Sequence, residues 1–132
     1  MIYFLQYILS LFTVPKSDKK QLLSPTFELY KDTAGQYRFR LKAANSEIIL
    51  ASEGYTTKAS AKKGITSVKK NAQHTRRYQR KKARNNQYFF NLKAANHEVI
   101  GTSETYTSSS NRDNGIERVK AIAPCAVVVD LV

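Results

Sequence analysis

The chain has 132 residues, 42% of them apolar and 11% aromatic, with 22 Lys and Arg against 10 Asp and Glu, a formal net charge of +12. This composition excludes an intrinsically disordered chain, and a lone cysteine, Cys125, excludes an internal disulfide framework and a cysteine-based zinc cluster. The positive balance favours nucleic acid, anionic membrane or acidic protein as a partner without choosing among them.

Residues 1–14 (MIYFLQYILSLFTV) form a strongly apolar run. It is shorter than the roughly 20 residues a bilayer span requires. Nothing basic precedes it, as a secretory signal would demand, and Pro15-Lys16-Ser17-Asp18-Lys19-Lys20 follows it. The expected compartment is therefore the cytoplasm, with a membrane-peripheral anchor or export through residues 1–14 as the alternative.

Phe27–Lys31 reads as a short first strand. Tyr37, Phe39, Leu41 and Ala43 then alternate with Arg38, Arg40 and Lys42, the period-two pattern of a strand with one wet face. Gly35 precedes that strand where the turn asks for φ > 0, and Asn45-Ser46 suits a two-residue hairpin turn. A third strand follows at Glu47–Ala51. After Tyr55-Thr56 the period changes. Ala61, Ile65, Val68 and Ala72 fall on one face of a helix, with Thr57 as its cap.

The same plan then starts again. Phe27–Ala72 aligns without a gap on Tyr78–Ala123, 51 positions later (88 − 37, from Tyr37 and Tyr88), with about 20 of 46 positions identical. LKAANSE (Leu41–Glu47) returns as LKAANHE (Leu92–Glu98). SEGYT (Ser52–Thr56) returns as SETYT (Ser103–Thr107), and GITSVK (Gly64–Lys69) as GIERVK (Gly115–Lys120). Asn86 takes the turn position of Gly35, and Ser108 the cap position of Thr57. Both copies keep a glycine inside the helix at a cost of roughly 1 kcal/mol against alanine, which predicts close helix-to-sheet contact there. Ala126–Leu131 reads as a closing strand. A unit of about 46 residues is too small to bury a good core alone, so two copies are expected to share one sheet with both helices on one face, an α+β domain with a pseudo-twofold axis.

The motifs FELYKD, RFRLKAAN, ILASEGY, GITSVKKNA, NLKAANHEVIGTSETY, NRDNGIERVK and VVVDLV resemble those of the YegP-like family of small bacterial proteins of uncharacterised function. The resemblance covers residues 27–132. It implies a tandem duplication of a β3-α-β module, a single antiparallel sheet, and closing strands exchanged between the repeats. On that expectation residues 1–26 are an extension. Residues 27–132 are one domain of two repeats (27–72 and 78–123) with a closing strand at 126–131. A tandem chain satisfies its own pairing and is expected to be monomeric. The apolar segment before Lys16 has no counterpart in the family pattern.

Two sets of residues are candidates for chemistry. Ser52-Glu53-x-Tyr55 and Ser103-Glu104-x-Tyr106 lie where the third strand meets the helix, and could line a polar pocket in each copy. The structural alternative has the carboxylates serving backbone groups or the first helical turn, with the tyrosines in the core. The second set is basic: Arg76, Arg77, Arg80, Lys81, Lys82 and Arg84, with Tyr78 among them for stacking, and Lys58, Lys62 and Lys69 on one side of the first helix. The alternative there is a solvated edge strand whose cations block pairing. In copy two the positions of Lys58, Lys62 and Lys63 hold Ser109, Asp113 and Asn114, so the basic helix is not a property of the module. Asn45 and Asn96 read as turn residues. His74 and His97 do not correspond between copies and have no neighbouring ligand, so no metal and no cofactor is expected. No nucleophile–base pair, P-loop, GxGxxG or HExxH occurs, and Cys125 beside Pro124 lacks a base. The sequence thus predicts a non-catalytic binding or structural accessory module of unknown ligand, and alternatively a weak, sequence-nonspecific nucleic-acid binder.

Overall fold

A computed structural model of the chain describes residues 24–132; the readings placed on residues 1–14 lie outside them. In β1 (Thr26–Lys31) Phe27 and Leu29 are fully buried, alternating with Thr26, Glu28 and Tyr30. β2 (Tyr37–Lys42) buries Phe39 and Leu41 on the same face, and β3 (Ile48–Ala51) follows. The turns use the left-handed residues that the sequence supplies. Gly35 and Asn86 stand at φ 84° and 65°, Ser46 and His97 at 70° and 72°. Asn45 and Asn96 each accept the amide of the residue two positions on, Glu47 and Glu98.

Helix α1 (Lys58–Asn71) begins where the Thr57 side chain accepts the Ser60 amide. It buries Ala61, Ile65 and Val68. A short 3-10 turn, Thr75–Arg77, leads into β4 (Tyr78–Lys82), β5 (Tyr88–Lys93), β6 (Val99–Thr102) and α2 (Ser109–Ile122), which Ser108 caps in the same way. A second 3-10 turn, Ala123–Cys125, precedes β7 (Val127–Asp130).

The seven strands of the described residues form one sheet in the order β4-β5-β6-β3-β2-β1-β7. The two copies join at β3–β6, through the antiparallel pair Ala51↔Thr102. The exchange of the closing strand is real, since β7, which follows the second copy, pairs with β1 of the first. The implied antiparallel sheet is corrected at one place, because β7 runs parallel to β1. β7 arrives by a crossover from α2 and not by a hairpin, and only a crossover delivers a parallel neighbour. The sheet is therefore mixed. Copy one has no separate closing strand, because the chain leaving α1 becomes β4 itself.

Both helices lie on one side. A Cβ on Gly64 would stand 2.6 Å from the Tyr55 Oη and 2.8 Å from the Phe39 ring, and one on Gly115 would meet the Tyr106 phenol and the Phe90 ring. Phe39 and Phe90 face the same way, because Arg40, Ala51, Thr102 and Asn91 pair in one cross-strand row on the opposite side. The core between helices and sheet takes Phe27, Leu29, Phe39, Leu41, Phe90 and Leu92 at full burial. Each such side chain contributes about 1.5–3 kcal/mol relative to exposure.

Candidate functional site

Ser52 and Ser103 are buried at the ends of β3 and β6, and their hydroxyls are occupied. Each accepts the amide of the strand residue beside it (Phe39 and Phe90, both 2.9 Å) and donates to the carbonyl of the next glutamate. They continue the ladder one residue past the strand. Ser52, Glu53 and Ser103 line a shallow cavity of about 280 Å³ with Ala51, Gly101 and Thr102. Tyr55 and Tyr106 are not among its lining residues. They stack on Phe39 and Phe90 at ring separations of 6.2 and 6.5 Å. Burial raises both phenols. The two Ser-Glu-Tyr words therefore meet only in part: Ser52, Glu53 and Ser103 share the cavity, and Glu104 and both tyrosines are not among its lining residues.

Glu104 instead meets the other repeat. Its carboxyl is raised by burial and then by the neighbouring Glu47, whereas the Arg118 guanidinium, 3.1 Å from Glu47, holds the Glu47 carboxyl down. The Glu47–Arg118 pair ties β3 of copy one to α2 of copy two. Among the described residues no group of three or more His, Cys, Asp or Glu side chains could hold a metal ion.

The basic run of residues 76–84 does not form one patch. Tyr78 cannot stack on a ligand: it is 7% exposed in the core, its hydroxyl donates to the Ala72 carbonyl at 2.6 Å, and burial pushes its phenol well up. That corrects the expectation of an available ring. The cause is the strand period, which turns residue 78 inward with Arg80 and Lys82 and sends Gln79 and Lys81 to the opposite face. Arg77 is held by Asn71, Arg80 by Asp113, and Lys82 lies over the Tyr88 ring. Lys58 pairs with Asp130, and Lys69 lies over Phe27. Arg76, Arg84, Lys62 and Lys81 have no carboxylate partner among the described residues, and of these Lys81 belongs to the face described next.

Sequence reasoning did not recognise the open face of the sheet as a site. A row crosses all seven strands there: Val129, Glu28, Arg40, Ala51, Thr102, Asn91 and Gln79, each paired with the next. Alternation puts Arg38, Lys42, Lys81 and Lys93 on the same face. Its strands thus present five cations, counting Arg40, to one carboxylate, Glu28. Glu28 accepts from Arg40 at 2.8 Å and from Lys42 at 3.5 Å, so its pKa is lowered by them against the opposing effect of burial. Asp32 pairs with Arg38 at 2.7 Å from the β1–β2 turn. Lys81 and Lys93 have no such partner among the described residues. The alternating Arg38, Arg40 and Lys42 were the available signal. The joining of two such faces into one was not visible along the chain.

The family model described as "Domain of unknown function (DUF1508)" matches residues 32–79 and again 83–130, also 51 residues apart (83 − 32). The chain belongs to the YegP (UPF0339) family. It is 54% identical over 109 residues to a UPF0339 protein from the 5′ region of the ptx operon of Stutzerimonas stutzeri, covering 83% of this chain and 98% of that one. It is 50% identical over 104 residues to YegP of Escherichia coli K12, covering 79% and 94%. The solution structure of the Escherichia coli family member, 48% identical, superposes with a TM-score of 0.78 over 83% of this chain and 94% of the other. That of a Shewanella oneidensis member, 46% identical, gives 0.77 over 83% and 92%. The family is one of unknown function, and no catalytic family is indicated. Among the described residues no helix is long and apolar enough to cross a membrane.

Proposed function

We propose that the protein is a non-catalytic binding module whose ligand surface is the open face of the sheet, and that this face takes a polyanion, nucleic acid, through its phosphates. The observation that carries the reading is the excess of cations, five against the carboxylates of Glu28 and Asp32, on a face that neither helix of the described residues covers. The serines of the two Ser-Glu-x-Tyr words are committed to backbone hydrogen bonds, which supports a non-catalytic role. Pairing of the repeats within one chain supports a monomer.

Phosphate binding releases counterions, so affinity falls linearly with salt on logarithmic axes, by about 0.9 per phosphate contacted on duplex DNA. We therefore expect a duplex oligonucleotide to bind at low salt with a steep slope and little dependence on sequence. Replacing Lys81 and Lys93 together by Gln lowers that slope by up to about 2, while Lys62→Gln on the helix side leaves it unchanged. The measurement is a fluorescence titration across a salt series. Absence of binding at low salt sinks the reading, and so does a slope that responds to Lys62 and not to Lys81 and Lys93.

A further inference from the structure

On the open face the repeats have diverged in identity but not in chemistry. In copy one Tyr30 on the outer strand is the cross-strand partner of Arg38 on the inner. The corresponding positions in copy two, 51 residues on, are Lys81 and Phe89, again a cross-strand pair. The aromatic and the cation have exchanged strands, so each half of the face still presents one ring beside one cation. Core positions of the inner strands, by contrast, keep their residue type: Phe39 and Phe90, Leu41 and Leu92. A ring on the solvent face of a strand is not needed for burial, and both rings are partly exposed. The Arg40 guanidinium lies over the Tyr30 ring, 4.5 Å from its centroid, so this half offers a base a ring faced by a cation, and guanidinium planes stack bases as rings do.

We infer that the two ring–cation pairs are base-stacking platforms, and that the preferred ligand of this face is single-stranded nucleic acid. The inference rests on the polyanion reading above and names its ligand. Every base has a π-face, while in a duplex those faces are closed to one another, so a ring on a sheet surface reads only unpaired bases. The cation beside each ring meets the adjoining phosphate. β1 and β5 are four strand spacings apart, about 19 Å, so one strand several nucleotides long reaches both platforms. Because stacking is tolerant of base identity, selection acts on strandedness and not on sequence.

The test compares three probes on the full-length chain, a single-stranded oligonucleotide, the same sequence as a duplex and inorganic polyphosphate of matched charge, and repeats them on the variants Tyr30→Ala and Phe89→Ala. Stacking of one base is worth about 1–3 kcal/mol, or roughly 5- to 150-fold in Kd. Each variant should weaken the single strand at least about fivefold, with its salt slope unchanged, and leave duplex and polyphosphate binding as they were. Circular dichroism and the thermal midpoint establish that the variants are folded; should Ala disturb the sheet, Tyr30→Leu and Phe89→Leu keep the apolar bulk and remove the ring. Single strand, duplex and polyphosphate bound equally, or ring variants that bind like the parent, would overturn the stacking inference while leaving the polyanion reading in place. No binding of any probe at low salt would overturn both.

Discussion

Tyr78 is buried and Tyr106 half-buried, both with the hydroxyl inside, and the two hydroxyls have opposite fates. That of Tyr78 donates to the Ala72 carbonyl at the end of α1, a group the helix leaves without a partner. That of Tyr106 has no hydrogen-bond partner among the described residues. A buried polar group left unmade costs about 1–3 kcal/mol, whereas a made hydrogen bond contributes about 1. The substitution Tyr78→Phe is therefore expected to lower stability by about 1 kcal/mol, and Tyr106→Phe to leave it unchanged or raise it by about as much. Urea midpoints of the two variants check this. Equal losses at both positions would mean that the Tyr106 hydroxyl is satisfied. Sequence reading offered Tyr78 as an exposed stacking ring and Tyr106 as a pocket or core residue; the burial of Tyr78 and the fate of either hydroxyl were not legible, because they depend on how the helix ends pack on the sheet.

At the level of strands and helices, the repeat made most of the fold legible. The interior glycines of both helices predicted close contact, and the structure supplies its object, the phenol and ring beneath each one. The parallel β1–β7 pair was not legible, since strand direction depends on where a crossover lands. Another feature escaped the alignment because it lies in what the copies do not share. Leu50 of β3 corresponds to Gly101 of β6, and the two meet at the pseudo-twofold axis, where a Cβ on Gly101 would stand 2.6 Å from Leu50 Cδ2. Two leucines would collide there and two glycines would leave a void. Gly101→Leu should cost about 1–3 kcal/mol by overpacking, and Leu50→Gly about 2–5 by cavity formation. The exchanged double variant should recover most of both losses. A double-mutant cycle measures the coupling, and simple addition of the two losses would refute the large-to-small fit. The same divergence appears at the edges. Leu29, fully buried between β2 and β7, corresponds to Arg80 on β4, the edge with no covering strand among the described residues.

For the molecule as a whole, duplication does what a single module cannot: it joins two half-sheets into one seven-stranded surface with both helices behind it. The net charge of +12 was plain in the composition, but its distribution was not, because a dense run such as residues 76–84 draws attention while alternation divides it between two faces. The open face gathers its cations from positions scattered over some 55 residues, three on β2 and one each on β4 and β5. The direct test of this account is to map an oligonucleotide's footprint by backbone amide chemical shifts in the full-length protein. The account predicts that the largest shifts fall on β2 and β5, at Arg38, Arg40, Phe89, Asn91 and Lys93, with α1 and α2 unmoved. Shifts confined to the helices, or to Arg76 and Arg84 alone, would contradict it.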